Sequence, residues 1–170
     1  EADASFNFTL GEMTDGRMFL HTSEMPWTVP ATPLLMTKGL ECTESAPIVN
    51  IPESASDVQL VINNAMPDAH VIHLHGSRFQ VMSSSSGTDE PAFASSAPLL
   101  RDTVFVPSNG QVVLRMVANN PGMWMLRSMN ANAHLRGAAT VLNVLPSQQV
   151  AVPSGIPTGG PCAPAPAVFI

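Results

Sequence analysis

The chain has 170 residues, of which 45% are hydrophobic and 12% charged, and it carries a formal charge of -6. A chain of that size and apolar content buries one core and calls for one domain. The acidic balance and the single lysine, Lys38, argue against nucleic acid or an anionic membrane as partner, and the apolar runs fall far short of the roughly 20 residues that span a bilayer.

The sequence begins at Glu1 rather than Met, as expected of a processed product or of a piece cut from something longer. The first strand signal, SFNFTL, contains Asn7-Phe8-Thr9, a glycosylation acceptor pattern whose competing reading is a surface Asn on a strand. FLHTSEMPW follows, in which His21 and Glu24 find no further spaced ligand, so a turn or edge strand is expected. Cys42 and Cys162 form an even pair. A disulfide between them would tie the C-terminal tail to the domain, in competition with a bond to another segment or two buried free thiols. Together with the sequon, it points to a secreted, extracellular protein.

Short β-branched runs then recur between Pro, Gly, Ser and Asn clusters: APIVNIP, DVQLVINNA, HVIHLH, RFQVM, DTVFVP, QVVLRMVA and ATVLNVL. With almost no helical periodicity, this spacing predicts an all-β antiparallel sandwich or barrel. Residues 83–99, SSSSGTDEPAFASSAPL, read as a long surface loop in which Asp89 and Glu90 are solvated. Met123, Met125 and Met129 would share the buried face of a strand as core filling. The folded domain is expected over 1–145, followed by an extended Pro/Gly-rich tail over 146–170.

The segment HVIHLHG places three of the five histidines within six positions. Residues two apart in a strand face the same side, so His73 and His75 point together, whereas His70 needs a bend to join them. Paired imidazoles suit copper, zinc or iron, and an electron-transferring copper additionally needs a thiolate.

Four linked motifs settle a resemblance. His70-x-x-His73-x-His75-Gly76, Arg78-Phe79-Gln80-Val81, Arg101-Asp102-Thr103-Val104-x-Val106-Pro107 and Asn120-Pro121-Gly122-x-Trp124 follow in the order and separation of the last cupredoxin domain of multicopper oxidases, the laccase and ferroxidase group. PWTVPATPLL, residues 26–35, resembles the segment entering that domain, and the likeness covers residues 5–145. It implies a cupredoxin-like Greek-key β-sandwich or barrel.

The resemblance also implies roles. The first histidine of the HxxHxH stretch binds the type 1 copper in that family, and the next two bind a trinuclear copper cluster. A later His-Cys-His motif, four residues ahead of another His, completes both sites. Here Arg127, Ser128 and Met129 stand at the His-Cys-His positions and Ala133 at the last, with His134 displaced by one. A serine hydroxyl cannot replace a soft thiolate, and the permanent charge of Arg127 repels a nearby cation. Recruiting His134 by a register slip would turn a strand's core face outward.

His70, His73 and His75 are therefore expected as remnants, with carbonyl or carboxylate partners competing for their imidazoles. No cofactor is expected to be retained, copper being held at partial occupancy at most. The expected role is a structural or interaction module that has lost type 1 copper and redox catalysis, associating with other cupredoxin domains or subunits as a hetero- or homo-oligomer. Two alternatives stand beside it: the terminal domain of a larger active oxidase, and a copper or zinc module built on the three histidines. No GxSxG nucleophile motif, phosphate-cradling loop or basic-aromatic surface is present.

Overall fold

The computed structural model describes residues 1–30, 34, 46–86, 92–93 and 99–150. The expected Cys42–Cys162 bond, Asp89 and Glu90, and the tail beyond residue 150 lie outside the described residues. Among the described residues twelve strands run in chain order: β1 (Ala4–Glu12), β2 (Met18–His21), β3 (Ile48–Asn50), β4 (Asp57–Asn64), β5 (His70–Leu74), β6 (Phe79–Ser86), β7 (Ala92–Phe93), β8 (Leu100–Arg101), β9 (Thr103–Val106), β10 (Gly110–Val117), β11 (Gly122–Ser128) and β12 (Ala139–Val144). One sheet has the order β2-β1-β4-β10-β6-β7 with β8 also paired to β6; the other runs β3-β12-β11-β5-β9.

Alternation along the strands builds the space between these sheets. In β4 the residues Val58, Leu60 and Ile62 are fully buried, and Leu114 of β10 sits in register with Leu60. From the opposite sheet Ile72, Leu74, Leu126 and Leu142 enter the same core. Each such side chain contributes about 1.5–3 kcal/mol by leaving water, so packing between sheets carries the fold. A second, smaller cluster covers the far face of β11 and β12, where Met123 and Met125 pack beside Trp27, Leu34, Ile48 and Val141.

The all-β expectation holds, with four departures. Two strand pairs are parallel, β1 with β4 and β3 with β12. Residues 83–86 are not loop: they extend β6 against β10 past a register shift between Val113 and Leu114. Backbone pairing set that outcome, since an edge of β10 was there to receive a serine run of low strand propensity. Met129 does not join the core, being 47% exposed just beyond the end of β11. Finally, a short helix, α1 (Ala131–Leu135), stands between β11 and β12; the Asn130 side chain caps it by accepting the Ala133 N–H.

Gly76 positions the turn after β5. Its φ is +67°, and a Cβ there would overlap the Trp124 ring. The Asn120 amide donates to the Gly76 carbonyl at 2.6 Å, and the Trp124 indole donates to the Asn120 carbonyl at 2.8 Å, so residues from two of the linked motifs form one unit. Gly76→Ala is expected to lower unfolding free energy by about 2–4 kcal/mol, combining overpacking with the left-handed backbone cost. Urea denaturation checks it, and a loss near zero would contradict the packing described.

Candidate metal centre

The period of two in β5 divides the histidines. His70, Ile72 and Leu74 point into the core, while Val71 and His73 point outward. The rings of His73 and His75 lie together on the outer side, with centroids 4.9 Å apart and planes tilted by 52°. His70 is not brought to them. Among the described residues no three His, Cys, Asp or Glu side chains converge as metal ligands.

On the inner side, β11 lies antiparallel to β5 with Leu126, Arg127 and Ser128 opposite Leu74, His73 and Ile72. Ser128 is fully buried, and its hydroxyl lies 3.1 Å from His70 Nδ1 while accepting the Asn130 N–H at 3.2 Å. A hydroxyl, not a thiolate, thus meets this imidazole. Burial first, opposed by Asp68, holds the His70 basicity below the ordinary histidine value.

On the outer side, His73 Nδ1 is 3.0 Å from the Asp102 backbone carbonyl and 3.1 Å from Thr103 Oγ1, and that hydroxyl donates to Asp102 Oδ1 at 2.8 Å. A carbonyl only accepts, and the Thr103 proton is already committed. Nδ1 therefore carries the hydrogen, which leaves the Nε2 lone pair free, the tautomer in which a histidine binds metal through Nε2. An open cleft of about 970 Å³ reaches His73, lined also by Gly76, Arg78, Asp102, Asn119 and Asn120. Burial, then His73, Arg127 and His134, hold the basicity of His75 down.

Arg127 lies opposite His73, on the outer side, with Nη1 donating to the Ser128 carbonyl at 3.3 Å. Ala133 is buried inside α1, and the Nδ1 of His134 is buried without a hydrogen-bond partner. His134 thus enters the site region on a helix, not by the strand slip considered from sequence. The Arg101-Asp102 step of the third linked motif also reaches this site. Its real part is the Asp102 carbonyl on His73, and a backbone group leaves no signature in residue identity.

Chemically, His73 and His75 present two adjacent imidazoles, the first of them lining an open cleft, and these fit two ligands of a copper ion. The His70–Ser128 pair supplies no sulfur and does not fit a blue copper site.

Residues 8–148 match the family model described as Multicopper oxidase. An iron multicopper oxidase of Mycosarcoma maydis is 31% identical over 175 aligned positions, covering 91% of this chain and 27% of that protein. Laccase-24 of Oryza sativa subsp. japonica is 37% identical over 109 residues, 58% of this chain and 19% of its own length. Among solved structures, Fet3p, titled a multicopper oxidase that functions in iron import, superposes with a TM-score of 0.70 at 23% identity over 89% of this chain and 34% of that one. The laccase of Botrytis aclada gives 0.66 at 19% identity, over 87% and 29%. The fold is thus cupredoxin-like, and the chain spans about a quarter or less of these curated relatives. The matches correct the expectation that no cofactor is retained beyond partially occupied copper: the chain aligns across nearly its whole described body with proteins named for copper. The period of two already set His73 and His75 on one side; the fold adds the Asp102 carbonyl that takes the Nδ1 of His73.

Two outcomes are expected. Ser128→Ala leaves His70 Nδ1 and the Asn130 N–H unpaired and should cost about 1–3 kcal/mol in chemical denaturation; an unchanged midpoint would contradict the hydrogen bonds. Burial depresses the basicity of His21, His70, His75 and His134 in the fold. The unfolded chain then binds more protons below about pH 6.5, so stability is fully present above that value and is lost as pH falls through the lower folded values. Urea unfolding should give a smaller free energy at about pH 5 than at about pH 7.5; the reverse order would refute the burial argument.

Proposed function

The chain belongs to the multicopper oxidase family, and from that premise we propose that it serves as one cupredoxin domain of a larger copper-dependent oxidase. In this reading it lends His73 and His75 to copper at a boundary with another domain or subunit, and it holds no blue type 1 copper at Ser128. The observation that carries the reading is the His73 ring, whose Nδ1 hydrogen is held by the Asp102 carbonyl with Nε2 free beside an open cleft.

Copper bound there would supply one-electron oxidation of a phenol or of a metal ion, the two activities suggested by relatives named laccase and iron multicopper oxidase. The chain's own residues do the rest. Asp102 and Thr103 fix the tautomer and orientation of His73. Burial first, then His73, Arg127 and His134, lower the basicity of His75, which favours the imidazole form that binds metal. Arg127 opposes a further cation by about 4 kcal/mol per unit charge at ~4 Å in a surface-like dielectric, which fits two ligands from this chain better than a full set. Ser128 withholds the thiolate through which electrons would enter, so that relay belongs to another domain.

Residues 1–145 form the domain body in this reading, with 146–170 as its C-terminal tail. Secretion, a glycan on the exposed Asn7 of β1 and a Cys42–Cys162 bond accompany it. A three-histidine module is disfavoured because His70 faces the core. Among the described residues no helix is long and apolar enough to cross a membrane.

Metal analysis of native protein tests the reading. The double replacement His73→Ala with His75→Ala should weaken copper binding at least about tenfold while circular dichroism shows the sheet intact. Copper content unchanged in that variant would overturn it.

A further inference from the structure

The far face of β11 and β12 carries an apolar groove of about 320 Å³, lined among others by Trp27, Val29, Leu34, Met123, Met125 and Val141. No lining side chain is charged. Its volume is at the small end of ligand clefts, roughly 300–1,000 Å³, which leaves room for a few side chains but not for a sheet face. Met123 and Met125 are half-buried and Val29 is 67% exposed, so apolar surface here stays open to water.

The described chain leaves the body on this same face. Met125 is in register with Val141 and Met123 with Asn143, so Asn143 stands beside the groove, about 7 Å along β12 from Val141. Gln149 Nε2 donates to Asn143 Oδ1 at 2.7 Å and to the Val144 carbonyl at 3.0 Å, which pins the chain there just before the exposed Val150. Residues 151–170 contain no charged side chain, and Val168, Phe169 and Ile170 are their densest apolar run, with the only aromatic ring of that segment. At up to ~3.3 Å per residue, the chain from Val150 to Phe169 reaches the groove with length to spare.

We infer that residues 168–170 dock in this groove of their own chain, with the Phe169 ring against the thioethers of Met123 and Met125 beside Trp27. Sulfur and aromatic edges attract, and the tether supplies an effective concentration in the millimolar range, so a groove too small to hold a separate partner suffices. Cys42 follows Leu34 by eight residues and Cys162 precedes Ile170 by eight, so a bond between them would hold the same run near the same wall, though docking does not require it. Met123, Met125 and Arg127 alternate along the outer side of β11, and Arg127 is the register partner of His73. A docked tail therefore covers that face up to the histidine corner and sets how much of it stays open to a neighbouring domain. Docking and copper ligation are independent, and either can fail alone.

The test uses the metal-free full chain at two protein concentrations. Dilute hydrogen peroxide oxidises accessible thioethers, and mass spectrometry reads each methionine separately. Met123 and Met125 are expected to react at least about fivefold more slowly in the native sequence than in the double variant Val168→Ser with Phe169→Ser. Met129, 47% exposed, should react alike in both and serves as the reference. The photoreactive analogue p-benzoyl-phenylalanine, placed at position 169, should cross-link on irradiation to Met123 or Met125 within one chain, in a yield independent of protein concentration. Equal oxidation of Met123 and Met125 in the two chains, absence of that cross-link, or a cross-link that joins two chains and so puts a second copy in the groove would overturn the inference.

Discussion

The alternation of β5 is the constraint on which the rest depends. Ile72 and Leu74 must face the core opposite Leu126, and each contributes packing that no ligand bond is present to replace. A strand cannot then deliver His70 and His73 to one side. The same register that closes the sandwich commits one histidine to the interior and leaves two for chemistry at the surface. Ser128 shares the inner face of β11 with Leu126, so the hydroxyl meets His70 as a direct consequence of sheet register.

Two environments result, and they differ in what satisfies the imidazole. Inside, the hydrogen bond between His70 and Ser128 closes the pair, in a place too dry to hold an unpaired polar atom cheaply. Outside, the Asp102 carbonyl takes one nitrogen of His73 and leaves the other open to the cleft. Arg127 lies on that outer side opposite His73, with no carboxylate partner among the described residues.

Much of this was legible in the residues. The strand runs and the absence of a sulfur at Ser128 follow from local pattern and side-chain chemistry. The pairing of His73 with His75 against His70 follows from the period of two. What stayed hidden depended on partners distant in sequence. The Ser83 run became strand because β10 offered it an edge, and Met129 left the core because β11 ends one residue earlier. The tautomer of His73 is set by a carbonyl 29 residues away along the chain. The position of His134 follows from a helix whose cap, Asn130, reads as a plain turn residue in isolation.

The central claim is that copper reaches this chain through outward imidazoles and not through a sulfur at the buried end of β11. X-ray absorption at the copper edge of the native protein, isolated without added metal, tests it most directly. The account predicts a first shell of nitrogen and oxygen scatterers attributable to this domain, with no sulfur contribution from it. A short copper–sulfur distance assigned to this chain, or copper whose spectrum is indifferent to replacement of His73, would contradict it.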